Sequence, residues 1–180
     1  MESDYQSLFQ VRLANYDDIP AIMNITREAF VKYQQMSGVE NLAALEESYN
    51  DVKKDIDTKV VLLALSDGEP VGSVRVEVFP DKTAYLSRFA VKVTSQNNGI
   101  GKSIMNLVDK IMVKKGVTQI QLHTGSKITS LIRFYYGRGF YIDSTDKSRG
   151  YVRALLIKEY QKKRLLGKRD TKISVPFDMR

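Results

Sequence analysis

Cysteine is absent from the 180 residues. A chain without thiols forms no disulfides, binds no metal through thiolates and uses no cysteine nucleophile, and it is compatible with a reducing compartment. The chain also lacks an apolar run near the ~20 residues that a membrane span requires. Its first ten residues are acidic and polar, unlike the basic and apolar start of a secretory signal. We therefore expect a cytoplasmic protein without a membrane partner.

Composition is that of an ordinary globular protein, with 43% hydrophobic and 27% charged residues. The length suits one domain. We predict a single domain over residues 1–160, followed by a basic extension over 161–180. This extension holds seven Lys or Arg against two Asp, and it could be solvated, form a homodimer contact or touch nucleic acid.

Charge is distributed unevenly along the chain. Residues 1–90 carry 9 Lys or Arg against 15 Asp or Glu, a net charge of −6, whereas residues 91–180 carry 19 against 6, a net charge of +13. A basic half of this kind indicates either a solvated basic face or a site for an anion, such as a phosphorylated ligand or nucleic acid. The acidic half would attract a cationic partner.

Hydrophobic periodicity predicts strands and helices in the order βααβββαβαββ. Strands are predicted at about 9–13, 60–65, 72–78, 85–93, 119–124, 140–142 and 151–157, and helices at about 19–30, 39–56, 104–115 and 129–136. The predicted fold class is α/β (α+β): one mixed, mostly antiparallel twisted sheet of six or seven strands flanked by about four helices. The unit from 85 to 124 requires a parallel crossover. In the strand at 85–93, we expect Tyr85, Ser87, Phe89 and Val91 on one face.

A polar loop, residues 96–101 with the sequence QNNGIG, leads directly into the third helix. The first N–H groups of a helix have no intrahelical partner, and the helix dipole adds positive potential there. Gly99 and Gly101 allow a close approach to the backbone, and Lys102 adds a charge. The loop therefore predicts an anion site, although its spacing is neither that of a Walker loop nor GxGxxG.

This loop matches Q/R-x-x-G-x-G/A, the acyl-CoA pyrophosphate motif of the GNAT superfamily of N-acetyltransferases. Residues 134–140, FYYGRGF, resemble that family's FYxxxGF segment, and residues 86–91, LSRFAV, resemble its fourth strand. Residues 11–14 and 17–19 resemble its usual opening. The resemblance covers residues 9–158 in the expected order.

The resemblance implies an enzyme that moves an acetyl group from acetyl-CoA directly to a primary amine, small or on a protein, in a ternary complex and without a metal. The pantetheine arm would lie between the strands at 84–93 and 117–124, bordered by Phe89, Ala90 and Val91. Tyr135 would be the general acid, since a tyrosine hydroxyl of pKa about 10 can protonate a departing thiolate. The pyrophosphate would bind the loop and helix start: Gln96, Asn97, Asn98, Gly99, Ile100, Gly101 and Lys102.

The sequence departs from the family pattern at Arg88 and at Ile128 and Leu131, the last two standing where the family often has an asparagine and an alanine. Arg88 stands where several members have a glutamate base, and arginine cannot accept a proton at working pH. Glu77, on the polar face of the neighbouring strand, is the predicted base, with an ion pair to Arg75 as the alternative. Ile128 replaces an asparagine that usually helps to hold the cofactor arm. His123, the single histidine, is predicted to be an exposed strand residue, with a role in proton transfer as the alternative.

The acceptor pocket is expected near the first two helices, with Phe30, Tyr33 and Met36 as candidate walls. Two other interpretations of the chain stay open. It could be a CoA-binding module that has lost catalysis, or a nucleic-acid-binding protein that uses its basic half. The last ranks lowest, because the sequence holds no helix-turn-helix, zinc or RNA-recognition motif.

Overall fold

Seven strands form one mixed sheet in the computed structural model, which describes residues 9–161. The strand order is β1-β2-β3-β4-β5-β7-β6. The strands are β1 Phe9–Leu13, β2 Val60–Ser66, β3 Glu69–Val78, β4 Thr83–Val91, β5 Gln119–Gly125, β6 Tyr141–Asp146 and β7 Arg153–Glu159. The α-helices are α1 Ile19–Ser37, α2 Tyr49–Thr58, α3 Ile100–Lys114 and α4 Thr129–Tyr136. The predicted order and mixed sheet are confirmed, whereas all but the first residue of the predicted basic extension lies outside the described residues.

The helices cover the two faces of the sheet. The apolar stripe of α1, which includes Ile22 and Ile25, packs on Leu63 of β2 together with α2. The stripe of α3 packs on the other face beside α4, with Ile104 and Met105 fully buried. Such stripes at helical spacing bury one side of a helix and leave the other to water. Between residues 9 and 161, no helix is both long and apolar enough to cross a membrane.

Several predicted boundaries differ from the structure, among them the following three. The second helix begins at residue 49 rather than 39, because Ser48 and Asp51 form a capping box at its start. The strand predicted at 85–93 spans Thr83–Val91 and is followed by a 3-10 turn. β6 continues to residue 146, four residues beyond the predicted strand end at 142. As an edge strand that pairs only with β7, it exposes most of its residues and so lacks an apolar pattern.

A bulge interrupts β4. In its pairing with β3, Ala90 faces Ser73 but Ser87 faces Arg75, so two residues of β4 lie opposite one residue of β3. The first of the two, Arg88, has a φ of +51°, in the left-handed region that side chains other than glycine rarely adopt. An extra residue of this kind bends the strand and increases its twist.

The bulge also changes which side chains of β4 face α3. Leu86 before the bulge and Phe89 and Val91 after it all contact the core beneath α3. Alternation along the strand therefore places Tyr85 and Ser87 on the opposite face. The prediction that Tyr85, Ser87, Phe89 and Val91 share one face is wrong, because the extra residue shifts the alternation by one position.

A V-shaped gap opens between β4 and β5. The two strands pair in parallel over three residue pairs, the last of which is Tyr85 with Gln121. Beyond this pair, β4 continues to Val91 and β5 to Gly125 without pairing to each other. Each strand therefore presents backbone N–H and C=O groups to the gap that the sheet itself does not use.

A buried ion network holds the bulge. Arg75 of β3 is only 1% exposed and donates two hydrogen bonds to Glu47, at 2.7 and 2.9 Å, and one to Asp55 at 2.8 Å. Glu47 also accepts a 2.7 Å hydrogen bond from Nε of Arg88. Glu47 thus holds Arg88 in its left-handed conformation, and the buried Arg75 holds Glu47 in place. A second cation, Lys59, contacts Asp55 at 2.9 Å.

Replacing Arg75 by Met should lower the free energy of unfolding by about 3 kcal/mol, because Glu47 and Asp55 lose their buried partner. This decrease in the free energy of unfolding is near the low end of what breaking a buried ion pair costs, because Arg88 and Lys59 still contact the two carboxylates. Arg12→Met is the matched control: its pair with Asp18 is closer to the surface, with Arg12 33% exposed, so it should cost about 1 kcal/mol or less. Urea unfolding measures both values, and equal losses would contradict the role given to the network.

Candidate active site

A cavity of about 660 Å³ lies beside residues 89–91 at the end of β4, between α1, α4 and the start of α3. It brings together most of the residues predicted for the donor and the acceptor. The predicted residues that line it are Phe30, Tyr33, Met36, Phe89, Ala90, Val91, Gln96, Asn97, Gly99, Gly101 and Lys102. The cavity is therefore continuous from the acceptor side at α1 to the anion site at α3.

The cavity wall is electropositive. Its lining includes four basic side chains, Lys32, Lys102, Arg133 and Arg138, and no acidic side chain among the described residues. Three of the four come from the basic half of the sequence. A concentration of positive charge around a helix start favours a ligand with several negative charges.

The loop before α3 is shaped to present its N–H groups. Asn97 has a φ of +65° and Gly99 a φ of +76°, both left-handed. The first hydrogen bond of α3 runs from the N–H of Ser103 to the C=O of Gly99. The N–H groups of the first helical turn therefore have no intrahelical acceptor and form a concave anion site, a nest.

Gln96 fixes this loop to its neighbours. Its side-chain oxygen accepts a 2.8 Å hydrogen bond from Lys32 of α1, and its amide donates to the C=O of Val91 at 3.1 Å. Two other predicted loop residues do not line the cavity. Asn98 is exposed, and the Ile100 side chain is buried in the core under α3, so any ligand contact of Ile100 is through its backbone.

Gly101 stands where space is limited. A Cβ atom at this position would lie 3.1 Å from the ring of Phe89 and 3.3 Å from the ring of Phe134. The two rings are themselves stacked, with centroids 5.5 Å apart. Glycine at 101 thus allows the start of α3 to approach the aromatic side of the gap closely.

Tyr135 lies behind this aromatic pair rather than in the cavity lining. Its ring packs against Phe134 at 5.3 Å and Phe140 at 5.6 Å, and the residue is only 5% exposed. Burial raises the pKa of the Tyr135 hydroxyl, and the nearby Tyr33 adds to the increase. The hydroxyl therefore keeps its proton at neutral pH and can act as a donor. The adjacent Tyr136 points outward and is 50% exposed.

Tyr33 connects α1 to the far side of the gap. Its hydroxyl accepts a 2.8 Å hydrogen bond from the N–H of Gly125, the last residue of β5, and lies 3.2 Å from the hydroxyl of Tyr151. Burial and the contact with Tyr33 raise the pKa of Tyr151. Tyr33, which was predicted only to line the acceptor pocket, thus accepts a hydrogen bond from the last backbone N–H of β5, at the open end of the gap.

Glu77, the predicted base, is not brought to the cavity. Its side chain is 46% exposed and lies 4.0 Å from Lys59, and it is not among the lining residues. The alternative pairing of Glu77 with Arg75 is wrong, because Arg75 reaches Glu47 and Asp55 instead.

Sequence reasoning missed several polar residues at the site. Lys32, Ser95, Arg133 and Arg138 line the cavity but were assigned no role. The two arginines flank the aromatic segment 134–136, so their charge beside that motif was a usable signal. No sequence signal marked Lys32, because it contacts Gln96, a residue 64 positions away in the chain. Across residues 9–161, no group of three His, Asp or Glu side chains could hold a metal ion.

His123 is half-buried and not simply exposed as predicted. It lies on β5 with its ring 5.8 Å from that of Tyr85 on β4, and its Nδ1 is 2.8 Å from the Tyr85 hydroxyl. Both residues are on the face of the sheet opposite α3.

Sequence comparisons find relatives over most of the chain. A model of the acetyltransferase (GNAT) family matches residues 19–140, which is more than half of the chain. A spermidine N(1)-acetyltransferase of Thermoplasma acidophilum is 24% identical over 149 residues, covering 77% of this chain and 92% of that protein. The uncharacterized protein YyaT of Bacillus subtilis is also 24% identical over 149 residues, covering 82% of this chain and 93% of its own.

Solved structures share the fold. The PaiA N-acetyltransferase of Thermoplasma acidophilum, in complex with coenzyme A, has a TM-score of 0.75 at 22% identity, covering 85% of this chain and 99% of that chain. The ribosomal-protein-S18-alanine N-acetyltransferase of Escherichia coli has a TM-score of 0.70 at 15% identity, covering 89% and 100%. At these identities, the likeness is one of fold.

Proposed function

The chain belongs to the acetyltransferase (GNAT) family, and we propose that acetyl-CoA binds in the gap between β4 and β5. The chain transfers an acetyl group from acetyl-CoA to an amine. The observation that carries this proposal is the divergence of the two strands after Tyr85, beside a cavity that runs from the end of β4 to the start of α3. The same cavity is lined by α1 on the acceptor side, so donor and amine can meet in one space.

The diphosphate end of the donor fits the loop before α3. The nest at Asn97 and Gly99 offers N–H groups, and the four basic side chains of the lining supply charge for a ligand with several phosphates. Lys102, Arg133 and Arg138 line this cavity, so three of the 19 basic residues of the second half are placed for a phosphorylated donor.

The pantetheine arm fits the open edge of β4. Phe89, Ala90 and Val91 border the cavity, and their backbone groups on the β5 side have no strand partner. A linear amide-containing ligand can add to such an edge as an extra strand. From Val91 back to Leu86 the strand extends about 16 Å, so an arm anchored at α3 would bring its thioester close to the point where the strands meet.

Direct transfer then needs an amine, a donor and a proton source. The amine would enter between α1 and the sheet, past Phe30, Tyr33 and Met36. As it attacks the thioester carbonyl, the C–N bond would form, the C–S bond would break and the nitrogen would release one proton to solvent. The departing thiolate would take a proton from Tyr135, whose hydroxyl is protonated at neutral pH and would regain its proton from solvent. The relative from Thermoplasma acidophilum acts on spermidine and the Escherichia coli structure on an alanine of ribosomal protein S18, so both kinds of amine are candidate acceptors for this chain.

The proposal also covers the cell compartment and the oligomeric state. A cytoplasmic location is supported by the absence of cysteine. A homodimer contact through the basic residues 161–180 is testable by sedimentation of the whole chain and of a chain ending at residue 160.

Replacing Gly99 by Ala should weaken acetyl-CoA binding by about tenfold or more, because the methyl group would enter the space assigned to the diphosphate. Apart from Gly99 and its two chain neighbours, no described protein atom lies within 4 Å of that position. Gly116→Ala is the matched control, since Gly116 has a similar φ of +72° and equally open surroundings at the other end of α3. Both variants carry about 1–2 kcal/mol of backbone strain. Calorimetric titration with acetyl-CoA, CoA and ATP distinguishes them, and equal affinities in both variants would contradict the assigned anion site.

Replacing Tyr135 by Phe should lower turnover about 100-fold, because the leaving thiolate loses its proton donor. The acetyl-CoA dissociation constant should stay within about twofold, since the ring packing is retained. Tyr136→Phe removes an exposed hydroxyl from the same helix and should leave turnover unchanged. Thiol release with spermidine and with an alanine-starting peptide provides the assay.

The outcomes of this assay separate the competing functions. A wild type that binds acetyl-CoA but acetylates no amine would be the non-catalytic CoA-binding module. A Tyr135→Phe variant with full turnover would show that the hydroxyl is not the proton donor.

A further inference from the structure

A tyrosine and a histidine meet where the gap between β4 and β5 begins. Tyr85 belongs to the last residue pair that joins the two strands, and His123 follows Gln121, its pairing partner, by two positions on β5. The Tyr85 hydroxyl lies 2.8 Å from Nδ1 of His123. The pair occupies the sheet face opposite α3, which is the face that α1 covers and from which the amine would enter.

The far side of the imidazole faces a carboxylate. Nε2 of His123 lies 3.9 Å from Oδ2 of Asp146 on β6. This carboxylate is held by Ser148 and by Arg153, whose Nη2 is 3.2 Å from Oδ2. Hydrogen bonds from Ser148 and then Arg153 lower the pKa of Asp146 to about 2, so it is ionised at every working pH. A proton on Nε2 is therefore favoured, which leaves Nδ1 to accept the hydrogen bond from Tyr85.

The position fits the end of the donor arm. An extended chain that starts at the α3 nest and follows β4 toward Tyr85 places its reactive end near the meeting point of the strands, about 16 Å away. The Tyr85 hydroxyl and the His123 ring lie at that point, partly exposed, with 26% of the histidine side chain accessible to solvent. Glu77 lies beside Tyr85 in the pairing of β3 with β4, but its carboxylate faces Lys59 at 4.0 Å, and Arg88 cannot accept a proton.

We propose that His123 is the terminal proton acceptor of the reaction and takes the proton of the acceptor ammonium through the Tyr85 hydroxyl. The N–H bond of the ammonium breaks as its proton moves to the Tyr85 oxygen. The O–H proton of Tyr85 moves at the same time to Nδ1 of His123. The products are a neutral amine, an unchanged tyrosine and an imidazolium beside Asp146, so charge and protons balance. The inference rests on the proposed acetyl transfer and adds a route for the proton that a nucleophilic amine must lose.

The charges around the pair suit this direction. Burial lowers the pKa of His123 below its usual 6.5, Arg153 and Arg149 lower it further, and Asp146 acts in the opposite sense. The imidazole is therefore neutral at pH 7 and free to accept a proton. Burial raises the pKa of Tyr85, against the opposing effects of Arg153, Arg149 and Arg88, so its hydroxyl is protonated and donates to the histidine.

The test is the pH dependence of kcat for the wild type, His123→Gln, Tyr85→Phe and the double variant, with spermidine or the alanine-starting peptide as acceptor. In the wild type, kcat should fall as the pH drops through the His123 pKa, which lies below 6.5. In His123→Gln this acid limb should disappear, and kcat at pH 7 should be about 100-fold lower. Tyr85→Phe should lose a similar factor, and the double variant should be no worse than either single one, because the two groups act as one unit.

Controls separate proton transfer from folding. Acetyl-CoA affinity should stay within about twofold in each variant. Tyr141→Phe, which removes a surface hydroxyl bonded to Glu159 on β7, should keep the wild-type kcat and pH profile. If His123→Gln does not fold, Tyr85→Phe decides alone, because it breaks the same route and should also lose the acid limb.

Either of two results would overturn the inference. One is a His123→Gln variant with wild-type kcat and an unchanged acid limb. The other is a double variant whose losses multiply, since independent losses mean separate structural effects. These results would leave the acetyl transfer itself intact, whereas a wild type that acetylates neither acceptor would overturn both proposals.

Discussion

The parallel pairing of β4 with β5 ends after Tyr85, and the rest of the site depends on that point. Had the two strands stayed paired to Val91, their hydrogen bonds would have filled the space that the cavity occupies. The bulge at Arg88 bends β4 as the strands separate. Its left-handed backbone is strained, and a salt bridge to Glu47 holds it. Glu47 is in turn fixed by the buried Arg75. The ion network around Arg75 therefore supports the backbone geometry of β4 at the bulge.

The same bulge determines which side chains of β4 face α3 and which face the opposite side of the sheet. After it, Phe89 and Val91 face α3 and leave backbone groups along the gap, where the basic lining and the helix start favour a phosphorylated donor. Before it, Tyr85 faces away from α3 toward His123. Under the proposed function, the donor site and the proposed proton route would therefore be separated by a single residue of strand register.

Sequence patterns were sufficient for the features that depend on local residues. Periodicity predicted the element order, and the QNNGIG loop predicted a helix start that the structure forms as a left-handed nest. The register change at Arg88 was not predictable, since nothing in LSRFAV marks an arginine in the left-handed region. Contacts between distant residues, such as Tyr33 with Gly125, also left no local signal. The pairing of Glu47 and Asp55 with Arg75, Arg88 and Lys59 likewise joins residues that no local pattern connects.

Amide hydrogen exchange with and without acetyl-CoA tests the central claim most directly, since it reports on each backbone segment separately. If acetyl-CoA lies in the gap, exchange should slow at residues 86–91 of β4 and at residues 97–102 of the α3 nest. The amides of β1 and β2, on the far side of the sheet, should be unchanged. Saturating acetyl-CoA without protection in either segment, or with protection confined to other parts of the chain, would contradict the account.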